Sequence, residues 1–153
     1  MGIKDNIENL FTGEISRNTN SAIITGLLFF TGWWVLIDAL CVDPKHEITT
    51  GQAFIGVFGT VSFIMVNTVK NSHISEDNMS ENGTIIARVW LVVGFLIGFS
   101  SIVAALWVMI ADYVNNPSKS NKYGVAILME NVLIFTANLV YKFGRNEGLW
   151  PSY

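Results

Sequence analysis

The chain has 153 residues, of which 51% are hydrophobic and only 14% are charged. An ordinary soluble domain carries about 25% charged residues, and so few charges cannot cover the surface of a globule of about 150 residues. The composition therefore argues against a soluble enzyme, a disordered chain and a secreted disulfide scaffold. The net charge of −3 gives no basis for binding nucleic acid, and the single cysteine excludes a disulfide within the chain.

The uncharged residues are concentrated in four long stretches. Residues 18–37, 48–69 and 89–111 contain no Asp, Glu, Lys or Arg, and residues 123–141 contain only Glu130. A helix needs roughly 20 apolar residues to cross about 30 Å of hydrocarbon. The sequence therefore predicts an all-α membrane protein with four transmembrane helices and short loops.

The predicted elements follow one another closely along the chain. Residues 1–20 are predicted as an N-terminal segment that lies in the cytosol. Its apolar residues fall on one face of a short helix suited to a membrane surface, namely Ile3, Ile7, Leu10 and Phe11. A frayed terminus explains the same residues equally well, because short isolated helices are marginal in water. The transmembrane helices are predicted at about 21–42, 51–69, 85–113 and 123–143, and residues 144–153 form a cytosolic tail.

The basic residues are divided unequally between the two sides of the membrane. With four spans, both termini and the loop at 70–84 share one side, which carries six basic residues, Lys4, Arg17, Lys70, Arg88, Lys142 and Arg145. The other side carries three, Lys45, Lys119 and Lys122. Because loops rich in Lys and Arg stay in the cytosol, we expect both termini there.

Glu130 is the clearest candidate for a functional residue, since burying an ionisable group in the bilayer is expensive. Asn131 and Asn138 share one helical face, and Glu130 lies beside that face. Glu130 could be protonated, bind a cation, or hydrogen-bond a neighbouring helix or a partner subunit. Helix packing or partner contact is the preferred interpretation, and a small transporter or an ion or proton pathway is the alternative.

The third helix carries small residues at positions i, i+4, i+7 and i+11. They are Gly94, Gly98, Ser101 and Ala105. Such a stripe lets another backbone approach closely, and it serves equally a helix of this chain or one of another protein. The stripe is therefore predicted as a helix-packing or partner contact.

Three aromatic residues lie just past the middle of the first helix. Phe30, Trp33 and Trp34 flank Gly32, and we interpret them as a groove for lipid or for a partner, with simple packing as the commoner explanation. Acidic residues near the ends of the spans could attract a cation, although solvated helix ends are the simpler interpretation. The spacing of the histidines, serines and acids favours no catalytic, cofactor-binding or metal-binding site.

Three segments together resemble the transmembrane protein 50 family, which includes the vacuolar protein sorting 68 proteins. They are residues 28–34 (LFFTGWW) followed by 37–39 (IDA), residues 88–95 (RVWLVVGF), and residues 142–145 (KFGR) followed by 149–150 (LW). The resemblance spans about residues 17–150 and leaves the N-terminal segment outside. At Glu130 the chain departs from the family pattern, where an uncharged amide is expected.

The resemblance implies residence in the endoplasmic reticulum, Golgi or endosomes and a part in endosomal or late secretory trafficking. It also implies partners among integral membrane proteins, including a small four-helix protein of the vacuolar protein sorting 55 type. No enzymatic activity is implied, so no catalytic residue is carried over. We expect an accessory or scaffold subunit in contact with membrane lipids, and an anchoring role for a lipid-transfer or sorting machine is a further hypothesis.

Overall fold

The structure, a computed structural model, describes residues 2–3, 14–70, 74 and 81–145. Within these residues the chain forms four long helices, which are α1 (Glu14–Val42), α2 (Thr50–Thr68), α3 (Glu81–Val108) and α4 (Asn121–Gly144). A π-helix at Met109–Val114 continues α3. The predicted all-α architecture with four helices is confirmed. The short interfacial helix predicted from Ile3, Ile7, Leu10 and Phe11 lies, apart from Ile3, outside the described part of the chain.

All four helices are long and apolar enough to cross a membrane. The candidate spans are Arg17–Val42, Thr50–Thr68, Asn82–Val114 and Asn121–Gly144. A helix rises about 1.5 Å per residue, so even the 19 residues of the shortest span nearly match the hydrocarbon core. The chain is a multi-pass membrane protein.

The first helix begins at Glu14, earlier than the expected start at residue 21. Arg17 supports this early start. Its Nε donates to the carbonyl of Gly144 at 3.0 Å, and its Nη2 donates to the carbonyl of Phe143 at 3.5 Å. The last carbonyls of a helix have no partner within it, so Arg17 satisfies the end of α4. This contact gives the polar first turns of α1 a partner in the fold.

Helix α4 is the central element of the bundle. It packs along α1 and also contacts α2 and α3, whereas α2 packs chiefly along α3. Half of the most apolar window of α4 is buried, compared with 17% for α1. Aromatic contacts reinforce the bundle, with ring centroids 5.1 Å apart between Phe29 and Phe63 and 5.3 Å apart between Phe99 and Phe135. Polar residues on α4 are therefore placed to meet all the other helices.

The two ends of the bundle differ in character. At one end, called the loop end, lie the α1–α2 connection at 43–49 and the α3–α4 connection at 115–120. Here the Tyr113 hydroxyl donates to Gln52 Oε1 at 2.8 Å, and Gln52 Nε2 donates to Asp112 Oδ2 at 2.7 Å. The Glu47 carboxylate accepts from the Ser120 backbone N–H at 2.8 Å. The first two bonds join the start of α2 to the π-helix that continues α3, and the third joins the two connections to each other.

Candidate functional site

The candidate site is a row of polar side chains on the inner face of α4. Glu130 and Asn131 are both 0% exposed, Asn138 is 1% exposed, and Lys142 near the end of the helix is 4% exposed. Because α4 is central, these side chains point towards other helices of the same chain and away from lipid. The structure thus brings together the three residues that the sequence analysis singled out on this helix.

Glu130 occupies a space that two glycines leave open. A Cβ atom added at Gly56 of α2 would overlap the Glu130 carboxylate, and one at Gly32 of α1 would lie 3.0 Å from the Glu130 backbone carbonyl. Neither carboxylate oxygen has a hydrogen-bond partner among the residues that the structure describes. A buried polar group without a partner is costly, so Glu130 is the least satisfied side chain in this interior.

Asn131 points to a different part of α2. Its Nδ2 donates to the Ile127 carbonyl at 2.9 Å, while Oδ1 has no partner among the described residues. That oxygen would lie 3.2 Å from a Cβ at Gly59, and the hydroxyl of Ser101 would lie 3.6 Å from the same point. The two neighbouring polar residues of α4 therefore face two glycines that lie one helical turn apart on α2.

Asn138 joins α4 to α2 through two hydrogen bonds. Its Nδ2 donates to Ser62 Oγ at 3.3 Å, and its Oδ1 accepts from Asn67 Nδ2 at 3.1 Å. Ser62 Oγ in turn donates to the Gly94 carbonyl of α3 at 2.7 Å. Closer to the terminal end of the bundle, opposite the loop end, Lys142 Nζ donates to the Val69 carbonyl. This network ties α2, α3 and α4 to one another.

The small-residue stripe of α3 also packs within the chain. Gly94, Gly98, Ser101 and Ala105 are all buried. A Cβ at Gly94 would lie 2.9 Å from Val66 Cγ2, and one at Gly98 would lie 2.5 Å from Ser62 Oγ. The sequence left open whether the stripe packs against a helix of this chain or of another protein. The contacts in the structure are with helices of this chain.

The aromatic residues of α1 divide between two faces. Phe30 is 70% exposed and Trp34 is 71% exposed, and both line an open groove on the outer face of α1. Trp33 is half-buried, does not line that groove, and donates from Nε1 to Thr60 Oγ1 at 3.1 Å. The expectation that all three share a groove is therefore wrong for Trp33, because neighbouring residues lie about 100° apart around a helix.

Two glycines and a threonine of α2, which contact the inward-facing side chains of α4 and α1, were not expected from the sequence. Gly56, Gly59 and Thr60 were not predicted as part of any site. The glycines could have been noticed in the sequence. Glycine destabilises a helix interior by about 1 kcal/mol relative to alanine, so repeated glycines in a span indicate close packing. The identity of the side chains that fill the space could not be inferred without knowing which helices are neighbours.

The acidic residues at the loop end bind groups of the chain itself. Asp43 accepts from the backbone N–H groups of Ile48 at 2.9 Å and Lys45 at 3.3 Å. Burial raises the pKa of Asp43, but backbone hydrogen bonds and the electrostatic effect of nearby His46 together outweigh burial, so the net pKa lies below its usual value of 3.8. Among the described residues no group of three or more His, Cys, Asp or Glu side chains could hold a metal ion.

Comparison with known proteins identifies the family of the chain. A family model described as Uncharacterised protein family (UPF0220) matches residues 5–150. The match begins well before residue 17, so the expectation that the N-terminal segment lies outside the resemblance is wrong. The chain is 29% identical over 135 residues to the Transmembrane protein 50 homolog of Dictyostelium discoideum, an alignment that covers 80% of this chain and 86% of that protein. No solved structure matches. The chain belongs to the UPF0220 family, the transmembrane protein 50 family.

Proposed function

We propose that the protein is a non-enzymatic accessory or scaffold subunit of an endomembrane complex, acting in endosomal or late secretory trafficking or in lipid handling. The observation that carries the proposal is that polar groups inside the spans bind other helices of the same chain. Asn138 binds Ser62 and Asn67, and Trp33 binds Thr60. Together with the bond from Ser62 to the Gly94 carbonyl of α3, these contacts hold the four helices as one unit. Its outer surface is what neighbouring molecules meet.

The outer surface offers apolar faces on three of the helices. Phe30 on α1 is 70% exposed, Phe58 on α2 is 59% exposed and Phe99 on α3 is 60% exposed. Transmembrane helices of different proteins associate through van der Waals packing of such faces. We expect at least one of them to contact another integral membrane protein.

The proposed setting follows from the family resemblance and from the charges of the chain. The compartment is the endoplasmic reticulum, Golgi or endosome, and both termini lie in the cytosol, as the excess of Lys and Arg at the terminal end supports. The proposed partners are membrane lipids and other integral membrane proteins. A small four-helix protein of the vacuolar protein sorting 55 type and a lipid-transfer machine are the specific candidates.

A photocrosslinking experiment in native membranes tests the partner surface. Benzoylphenylalanine replaces Phe30, Phe58 or Phe99 one at a time, so that each probe has nearly the shape of the side chain it replaces. We expect one face to give a discrete adduct with a single integral membrane protein. The same probe at half-buried Phe63 is the control and should link only within the chain. Adducts with lipid alone at all three outer positions contradict the proposal.

The alternative function is an ion or proton pathway that uses Glu130, Asn131 and Asn138. The observation that favours it is that both carboxylate oxygens of fully buried Glu130 lack a partner among the described residues. Intramembrane carboxyl groups in such surroundings occur in proton relays. Flux through reconstituted liposomes that disappears in Glu130→Gln supports this alternative, and equal flux in the mutant eliminates it.

A further inference from the structure

Two grooves on the outer side of α1 share Trp34 as a lining residue. One, with a volume of about 400 Å³, lies between the end of α1 and the start of α4 and is lined in part by Trp34, Asp38 and Lys122. The other, with a volume of about 500 Å³, is formed by α1 alone and includes Gly26 and Phe30. We call them the Asp38 groove and the Gly26 groove. Because Trp34 lines both, they run end to end along the bundle.

The Asp38 groove carries one charge of each sign. Asp38 belongs to α1 and Lys122 to α4, and both are exposed. In the described part of the chain Asp38 has no hydrogen bond or ion pair, and Lys122 Nζ lies 4.8 Å from the centroid of the Tyr123 ring. Opposite charges that line one groove without pairing are complementary to a ligand that carries both charges in the matching order.

The antiparallel packing of α1 and α4 fixes that order. A Cβ added at Gly32 of α1 would lie 3.3 Å from the Cβ of Leu133 on α4. In this register Lys122 lies about four residues, or about 6 Å, nearer the loop end than Asp38. The cation of the groove is therefore the outer charge, and the anion lies on the side of the hydrocarbon.

The Gly26 groove continues from Asp38 away from the loop end. Trp34 lies about one turn beyond Asp38, and Gly26 lies about two turns beyond Trp34. The groove stays open at Gly26, since a Cβ there would have nothing within 4 Å. From Trp34 to Gly26 the helix rises about 12 Å, close to the roughly 15 Å of one leaflet's hydrocarbon. Read from the loop end, a ligand of both grooves therefore needs an anion, then a cation, then an apolar chain.

We infer that the two grooves bind a sphingoid base 1-phosphate. In this single-chain lipid the phosphate is terminal, the ammonium group is on the next carbon, and the hydrocarbon tail follows. The phosphate lies at Lys122, the ammonium group at Asp38, and the tail follows α1 past Trp34 to Gly26. The headgroup, with a hydrogen bond of about 2.8 Å at each end, is long enough for the offset of about 6 Å between the two charged residues. This site does not depend on the proposed role as a subunit.

Other membrane lipids present these charges in another order or lack one of them. Phosphatidylcholine and phosphatidylethanolamine carry the phosphate next to the chains and the cationic group outside, which would place the phosphate at Asp38. Lysophosphatidic acid has a terminal phosphate and one chain but no cation for Asp38. Sphingosine has the ammonium group but no anion for Lys122. The order of charges therefore selects the sphingoid base 1-phosphate among them.

Native mass spectrometry of the purified, delipidated chain tests the inference. The chain is mixed in detergent with equal amounts of sphingosine 1-phosphate, lysophosphatidic acid, sphingosine and lysophosphatidylcholine, and each bound lipid is measured relative to its share of the micelle. We expect sphingosine 1-phosphate to be retained about two- to fivefold more than each of the others, the range given by one exposed charge contact. Equal retention of any of the other three overturns the inference. Displacement by free phosphoethanolamine, which has both charges but no chain, overturns the assignment of a lipid.

Matched variants separate the grooves from the general affinity of an apolar surface for lipid. Asp38→Asn should abolish the preference over lysophosphatidic acid, and Lys122→Gln the preference over sphingosine. Lys119→Gln, at the same end but outside both grooves, should keep both preferences. Trp34→Ala should reduce retention of sphingosine 1-phosphate, whereas Trp107→Ala, which removes a tryptophan that is 73% exposed on α3, should not. Equal effects within either matched pair overturn the inference.

A crosslinking experiment distinguishes a lipid in the grooves from a helix of another protein. Benzoylphenylalanine replaces Trp34, and the chain is irradiated in native membranes with and without added sphingosine 1-phosphate. The inference predicts adducts with lipid and none with protein. A discrete adduct with a membrane protein that added sphingosine 1-phosphate does not displace overturns it.

Discussion

The close approach of Glu130 to Gly56 leads to a quantitative prediction about a double-mutant cycle. In the wild-type background Gly56→Ala inserts a methyl group where the Glu130 carboxylate lies. Overpacking of this kind costs about 1–3 kcal/mol, partly offset by the gain of about 1 kcal/mol for alanine in a helix. In the Glu130→Ala background the overlap is gone and only the helical gain remains.

The coupling free energy between Gly56→Ala and Glu130→Ala should therefore be about 1–3 kcal/mol. It is measured as the free energy of unfolding of the four proteins in mixed micelles titrated with SDS. Glu130→Ser provides a second truncation if the alanine variant does not fold. Gly26→Ala is the control, since a Cβ there meets nothing within 4 Å, and its effect should be the same in both backgrounds. A coupling below about 0.5 kcal/mol would refute the placement of Glu130 against α2.

Three further perturbations test other parts of the account. Gly98→Leu should abolish a monodisperse size-exclusion peak, because its Cβ would lie 2.5 Å from Ser62 Oγ, while Gly26→Leu should leave the peak intact. Asn138→Leu should lower the free energy of unfolding by about 1–3 kcal/mol in SDS titration, since Ser62 and Asn67 lose their hydrogen bonds to Asn138. The lowered pKa of Asp43 means that its ionised form contributes stability above the usual value of 3.8, and that this contribution is lost as the pH falls through the folded-state pKa. The difference in Tm between wild type and Asp43→Asn should therefore shrink between about pH 6 and about pH 3, and a constant difference would contradict the argument.

The four helices could be predicted because charge is so costly in hydrocarbon that its absence marks each span. Residues 48–69 and 89–111, for example, lie within or close to α2 and α3 and needed no further information. The start of α1 could not be predicted in the same way. Its first turns are polar and do not resemble a membrane span. Arg17 in these turns binds the end of α4, which is far away in the sequence.

The orientation of individual side chains was predictable only where polarity distinguished the interior from lipid. Glu130, Asn131 and Asn138 had to avoid hydrocarbon, so their burial agrees with simple energetics. Trp33 and Trp34 are both apolar enough for either environment. Trp33 is the one that turns inward, and its hydrogen-bond partner Thr60 lies on a different helix. The pairing of Gly56 with Glu130 likewise depends on which helices are neighbours, and one sequence does not contain that information.

The mass of the particle extracted from native membranes tests the central claim, that this bundle works as a subunit. The chain is purified in a gentle detergent, its particle mass is measured by light scattering, and its components are identified by mass spectrometry. The account predicts a second integral membrane protein in a fixed ratio to this chain. A particle that contains only this chain, with ion or proton flux in liposomes that depends on Glu130, would contradict it.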